Sequence, residues 1–167
     1  MFPRKHYSLY ICFHGNKYYG KMNEKEAAPV IIGKLMNIGG MLERKANRML
    51  LPFSLNHQQF SILFEIGKAG KVKQKEMVNR LALERSHVSK VIKKLQDMGL
   101  LNISDSTDDK RSALFSLTAT GKKVLSKCSS IFTKWNEEWI GEMDETIYMS
   151  VLENLTTLQT ILKEKTR

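Results

Sequence analysis

Arg85-Ser86-His87-Val88-Ser89-Lys90-Val91-Ile92-Lys93-Lys94-Leu95-Gln96-Asp97, followed by Met98-Gly99-Leu100-Leu101, is the stretch on which the fold turns. At 100° per residue, Val91, Ile92 and Leu95 fall within about 60° of Val88. Ser86, Lys90 and Lys93 lie near the opposite pole, with His87 and Ser89 flanking them. This spacing predicts an amphipathic helix from Glu84 or Arg85 to Asp97, apolar on one side and bearing small hydroxyls and lysines on the other. Small hydroxyls allow close approach to base edges, and lysines reach bases or phosphates.

Working upstream, Lys68-Ala69-Gly70-Lys71 reads as a turn, and a short helix follows with Met77, Val78 and Leu81 facing inward. A short helix, a tight turn and a second helix with a polar, basic outer face form a helix-turn-helix, whose second helix enters the major groove. Working downstream, Gly99 fits the C′ position of the helix, and Leu100–Ser104 and Ser112–Leu117 read as two strands. Between them Asp105-Ser106-Thr107-Asp108-Asp109-Lys110-Arg111 is too polar for a core. A helix-turn-helix followed by a β-hairpin is a winged helix, and its wing would carry Arg111 to the minor groove, where narrow walls concentrate negative potential.

Asp109-Lys110-Arg111, then five residues, then Leu117-Thr118 with Gly121, resembles the wing signature of the MarR family of bacterial transcriptional regulators. Leu81 through Leu101 resembles the family's recognition-helix segment, and the similarity extends from about residue 30 to 162. The resemblance implies a winged-helix domain within a mostly helical homodimer that binds a pseudo-palindromic operator and is often released by a small ligand or oxidant. Carried over by position, Arg111 is the minor-groove arginine and Asp109 the acid that orients it. Two departures stand out. Ile103 and Ser104 occupy places where the family usually has basic residues, and Lys73 and Glu84 stand at cap positions where Ser or Thr is common and caps better. Lys71, Lys73 and Lys75 are alternative phosphate contacts.

Charge agrees with this placement. The chain has 167 residues, 27 Lys+Arg against 17 Asp+Glu and a net charge of +10. Residues 68–127 hold 14 basic and 6 acidic side chains, +8, whereas residues 128–167 carry −3, residues 22–67 carry +1 and residues 1–21 carry +4. A concentrated basic block is the footprint of a polyanion site, and an acidic remainder suits a part held away from nucleic acid. At this length folding buries roughly 70% of the unfolded chain's surface, so a core forms without disulfides. Two cysteines, Cys12 and Cys128, are too few for a secreted disulfide framework and fit no zinc spacing, which points to a cytoplasmic protein.

Before the winged segment, Ile31, Leu35, Ile38, Leu42, Ala46 and Met49 recur at spacings of four and three. They predict a helix of about 20 residues starting near Pro29, weakened in its middle by Gly39-Gly40. Asn56-His57-Gln58-Gln59 resembles a capping box, and Phe60, Leu63, Phe64 and Gly67 share one face of the helix that follows. Residues 1–21 contain no acid and an apolar run too short to span a bilayer. They read as a poorly ordered leader.

After the wing, Thr118 caps a helix whose stripe is Val124, Leu125, Cys128, Ile131, Phe132, Trp135 and Trp139. Asp144 caps a last helix with Ile147, Val151, Leu155, Leu158 and Leu162. Stripes this extensive suggest a two-fold interface made with the helix at residues 29–50. The resulting expectation is a mainly α fold with a small β-wing: a leader at 1–21, an N-terminal dimerisation helix at 22–55, a winged helix-turn-helix domain at 56–118 and C-terminal dimerisation helices at 119–167.

The candidate DNA-binding residues are Arg85, Ser86, His87, Ser89, Lys90, Lys93, Lys94, Lys73, Lys75, Asp109, Lys110 and Arg111. Met36, Met41, Phe60 and Phe64 are candidates for lining an effector cleft, although methionines at helical spacing are more often core. No catalytic or metal-binding constellation, cofactor motif or membrane span is legible. Cys128 sits on an apolar stripe and reads as a buried small hydrophobe rather than a redox switch. The function expected is a sequence-specific transcriptional regulator, a repressor, acting as a homodimer on double-stranded DNA. An architectural or non-specific nucleic-acid binder, or a winged helix used for protein contacts, is the alternative.

Overall fold

The computed structural model describes residues 22–81, 83–105 and 113–165. The chain divides into two units between Leu42 and Glu43. The first contains the N-terminal part of α1 (Glu24–Leu50), and the second runs from the end of α1 through α2 (His57–Ala69), β1 (Val72–Lys73), α3 (Gln74–Leu81), α4 (Arg85–Asp97), β2 (Leu101–Asp105), β3 (Ala113–Leu117), α5 (Ala119–Ile140) and α6 (Glu145–Lys165). The expected class, mainly helical with a small antiparallel sheet, is the one observed.

α1 begins five residues before the Pro29 at which the periodicity predicts it. The Asn23 side chain accepts from the Lys25 and Glu26 amides at 3.0 and 3.2 Å, and the Glu26 carboxylate accepts from the Asn23 amide at 3.1 Å. This capping box nucleates a turn ahead of the apolar stripe, and Pro29, lacking an N–H, costs that helix one backbone bond near its start. α2 starts on the expected box: Asn56 accepts from the Gln59 amide at 2.8 Å, and Gln59 accepts from the Asn56 amide at 2.9 Å. Asn47, near the end of α1, accepts from the His57 amide at 2.8 Å and fixes the start of α2 against the last turns of α1.

α4 has the predicted bounds and buries Val88, Val91, Ile92 and Leu95. Its end is a Schellman motif: Gly99, at φ +70°, donates to the Gln96 carbonyl at 2.7 Å, and Leu100 donates to the Leu95 carbonyl at 3.0 Å. The chain turns there directly into β2. β2 and β3 pair antiparallel with Leu101 opposite Leu117 and Ile103 opposite Phe115, each strand starting one residue later than the sequence suggests. β1 is an addition. Val72 and Lys73 pair with Phe115 and Leu114, giving a sheet of order β1-β3-β2. Lys73 therefore closes a strand as well as preceding α3.

The core of the second unit is the set Leu55, Ile62, Leu63, Ile66, Met77, Val88, Leu95 and Phe115, sealed by Cys128. Val124, Leu125 and Phe132 pack on its margin, so the first half of the α5 stripe is used inside the chain rather than left for a partner. Phe60 stacks on Phe132 at 4.7 Å between ring centroids and 16° between planes, which fastens α5 to α2. Gly121 explains the wing signature physically. A Cβ there would collide with the Leu100 carbonyl oxygen. That same carbonyl accepts from the Thr118 amide at 3.0 Å. Thr118 also caps α5, accepting from the Gly121 amide at 2.9 Å and donating to the Gly99 carbonyl at 2.8 Å. The Thr118–Gly121 pair thus joins the recognition-helix exit, the wing base and the start of α5.

Candidate nucleic-acid interface

The polar face predicted for the second helix is the solvent face of α4. Arg85, Ser86, Ser89, Lys90, Lys93 and Lys94 are exposed and His87 is half-buried, opposite a side that is buried along its length. Among the described residues none of these four cations has a carboxylate within ion-pair distance. Ion pairs elsewhere include Arg80 with Glu65 and Glu76, and His57 with Glu43. An uncompensated cationic helix face attracts a polyanion, because no internal acid offsets its field. Glu84 stands at the N-cap without a side-chain bond to the helix, so the expected weak cap is what the geometry contains.

Two glutamines hold this face in place, and periodicity gives no sign of either. Gln74, at the start of α3, donates from Nε2 to Ser89 Oγ at 2.5 Å and to the Arg85 carbonyl at 3.3 Å. Ser89 in turn donates its hydroxyl proton to the Arg85 carbonyl at 3.0 Å. Gln58, on α2, lies 2.8 Å from His87 Nε2 through its carbonyl oxygen. With that oxygen as acceptor, His87 donates to it from Nε2. The only sequence signal available was that both glutamines sit in the first turn of helices that must pack on α4.

Lys73 is half-buried in β1, and Lys75 is exposed on α3. Asp109, Lys110 and Arg111 lie outside the described residues. The β2–β3 register that leads into them is described up to the Asp105–Ala113 pair. On β2, Ile103 is half exposed and Ser104 exposed, so the two positions where the family usually has basic residues are on the surface.

Residues 55–113 match the family model of the MarR family, a span that runs from just before α2 through both helices of the helix-turn-helix to the start of β3. That stretch, 59 of the chain's 167 residues, is similar to the MarR family. The chain is 29% identical over 112 residues to YwoH of Bacillus subtilis (strain 168), an uncharacterized HTH-type transcriptional regulator, covering 67% of this chain and 81% of that protein. It is 28% identical over 104 residues to the HTH-type transcriptional regulator SarZ of Staphylococcus saprophyticus, covering 62% and 71%. Among solved structures it is similar to the transcriptional regulator BldR from Sulfolobus solfataricus, with a TM-score of 0.72 at 20% identity over 86% of this chain and 99% of that one. It is also similar to S. aureus MepR in a DNA complex, with a TM-score of 0.71 at 20% identity over 75% and 93%. These relatives are named as regulators of transcription, and the fold this chain shares with the solved ones is the winged helix-turn-helix.

The other candidates fall in different places. Met36 and Met41 are exposed on the first unit. On the second unit, Phe60 is covered by Phe132, while Phe64, 6.0 Å from Phe60, is 45% exposed. Cys128 is fully buried, and burial pushes its thiol up to about 11. It is a neutral core side chain at physiological pH, as the apolar stripe suggests. Among the described residues no group of His, Cys, Asp and Glu is arranged to hold a metal ion, and no helix is long and apolar enough to cross a membrane.

Proposed function

We propose that the chain is a cytoplasmic, homodimeric, sequence-specific repressor that reads a pseudo-palindromic operator and is released by a small ligand. The observation that carries DNA reading at α4 is its exposed, unpaired cationic face, held by Gln58 and Gln74 over a buried apolar side. In this role Arg85, Ser86, His87, Ser89 and Lys90 meet base edges, Lys93, Lys94, Lys73 and Lys75 meet phosphates, and Arg111, oriented by Asp109 beside Lys110, enters the minor groove. The Ser89 proton is committed to the Arg85 carbonyl, so toward the groove this hydroxyl is an acceptor. It suits an adenine N6 or cytosine N4 amino group.

Support for the dimer comes from apolar side chains that stand exposed among the described residues. Ile31, Ile32, Met36 and Ile38 are exposed on α1, and Met149, Val151, Leu152 and Leu155 are exposed on α6. Runs of exposed apolar residues on two long helices are the mark of an interface with a second copy. Such a dimer sets two recognition helices about 34 Å apart, one turn of duplex. Solved relatives include a MepR–DNA complex and a MarR bound to operator DNA, which favours the same use of this fold. Selection of binding sites from random duplexes is the test. A two-fold symmetric consensus preferred by about 10³-fold or more over random DNA supports a specific dimeric regulator. Binding with no sequence preference returns the architectural alternative.

A further inference from the structure

We infer that a lysine face beside the recognition helix binds the phosphate backbone of duplex flanking the operator, so that the protein holds more DNA than α4 reads. This rests on α4 lying in a major groove, as proposed above. Two stretches of the chain lack any acid. Residues 66–75 hold Lys68, Lys71, Lys73 and Lys75, and residues 113–136 hold Lys122, Lys123, Lys127 and Lys134. The fold packs the two together, since β1 pairs with β3 and α2 lies against α5. Between them is a cleft of about 690 Å³, where Lys71 and Lys122 stand with Ser126, Ser129 and Ile66, and every described residue that lines it belongs to one of the two stretches. Both lysines are exposed, and among the described residues neither has an ion-pair partner. The hydroxyls of Ser126 and Ser129 make no hydrogen bond among the described residues.

Ammonium groups and free hydroxyls with no carboxylate beside them are the side-chain groups that meet phosphates. Residues 137–167, with seven acidic side chains against three basic, show by contrast that the cations of this chain are gathered rather than spread. Continuity with α4 sets the occupant. Lys71 stands three residues before Gln74, at most about 11 Å along the chain. Gln74 is bonded to Arg85 and Ser89 in the first turns of α4. The major groove is about 12 Å wide, so its bounding backbone runs about 6 Å from the axis of a helix lying in it, and Lys71 comes within reach of that backbone. Lys122 shares the cleft with Lys71 but belongs to α5, which takes no part in reading the groove. A backbone that meets both lysines has therefore left the sequence that α4 reads. Each phosphate neutralised steepens the fall of log affinity with log salt by about 0.9, so two lysines in each of two protomers add up to about 3.6.

The test titrates the full chain with two duplexes between about 50 and 200 mM salt. One is a core of about 20 bp, the most enriched sequence from site selection, and the other is the same core with about 10 bp of arbitrary sequence on each side. The expected result is a salt slope steeper by about 2–4 for the long duplex, and at about 50 mM salt an affinity about ten-fold or more above that for the core. Lys122→Gln, at an exposed helix position, should remove about half of the slope difference and leave affinity for the core within about two-fold. Adding Lys71→Gln should remove the rest, whereas Lys163→Gln, on α6, should keep the difference whole. Equal slopes for the two duplexes overturn the inference, as does a flank effect that survives the double variant or that Lys163→Gln lowers as much. A Lys122→Gln variant that weakens core and long duplex alike makes Lys122 an operator contact, and also overturns it. Equal slopes together with binding of poly-L-glutamate that Lys122→Gln abolishes assign the face to an acidic protein instead. Both lengths are repeated with a scrambled core: core preference without a flank effect sinks only the flanking contact, and a flank effect without core preference sinks only the operator reading.

Discussion

Replacing Gly121 by Ala tests the joint that holds wing, recognition helix and α5 together. The added Cβ would overlap the Leu100 carbonyl oxygen and lie 3.1 Å from its carbon and 3.4 Å from the Leu100 Cα, so it meets backbone at the start of a paired strand. Neither side yields easily. Leu100 is tied to Leu95 by the Schellman bond and to Thr118 through its carbonyl, and Thr118 is tied to Gly99 and Gly121. Overpacking of this kind costs about 1–3 kcal/mol, and losing the Thr118 amide bond adds about 1 kcal/mol, for a total of about 2–4 kcal/mol. Gly39→Ala is the matched control. A Cβ at Gly39 meets nothing within 4 Å and sits inside α1, so it should gain up to about 1 kcal/mol from helix propensity. Both are read by urea denaturation at one fixed protein concentration, because a dimer's apparent stability depends on concentration. A loss for Gly121→Ala no larger than about 0.5 kcal/mol, with the slope unchanged, would show that contact with Leu100 is not what demands glycine there.

Gln74→Ala should leave affinity for random DNA unchanged and weaken operator binding by about three- to ten-fold, since it frees Ser89 without removing a charge; equal losses on both duplexes in gel shifts would contradict that role. Arg111→Ala should weaken binding mainly where the flank is A/T-rich, whereas Lys93→Gln should act on every sequence and lower the salt slope by about 0.9, both checked by titrations at several salt concentrations. Cys128 should resist iodoacetamide at pH 7 until the chain unfolds. Its thiol is pushed from 9.0 to about 11 in the folded state, so the native state holds the proton more tightly and stability should fall as pH rises from about 9 to 11. A Cys128→Ala variant with the same pH dependence in that window would remove the thiol from the explanation.

Several elements were legible in the linear chain because their causes are local. The bounds of α4 follow from an apolar stripe at 3.6-residue spacing and from a glycine that alone adopts φ +70° without strain. The α2 start follows from Asn56 and Gln59 three residues apart, and the α5 and α6 starts from Thr118 and Asp144. The charge count located the basic block, and the wing signature carried the resemblance to the MarR family. The β1 strand was not legible, because two residues become a strand only through a partner, here β3, some 40 residues away. The early start of α1 was hidden for a different reason: a capping box ahead of Pro29 outweighs the missing N–H, and proline invites placing the boundary too late.

What the sequence determined by itself is the winged helix-turn-helix and the face of α4 that points to solvent, since periodicity, caps and turn residues act over a few positions. Only the tertiary structure decided which polar groups hold that face, why Gly121 has no side chain, and that Lys122 and Ser126 share a cleft with Ile66. Those relations join residues distant in the chain, and no local pattern encodes a meeting made by packing three elements on one core.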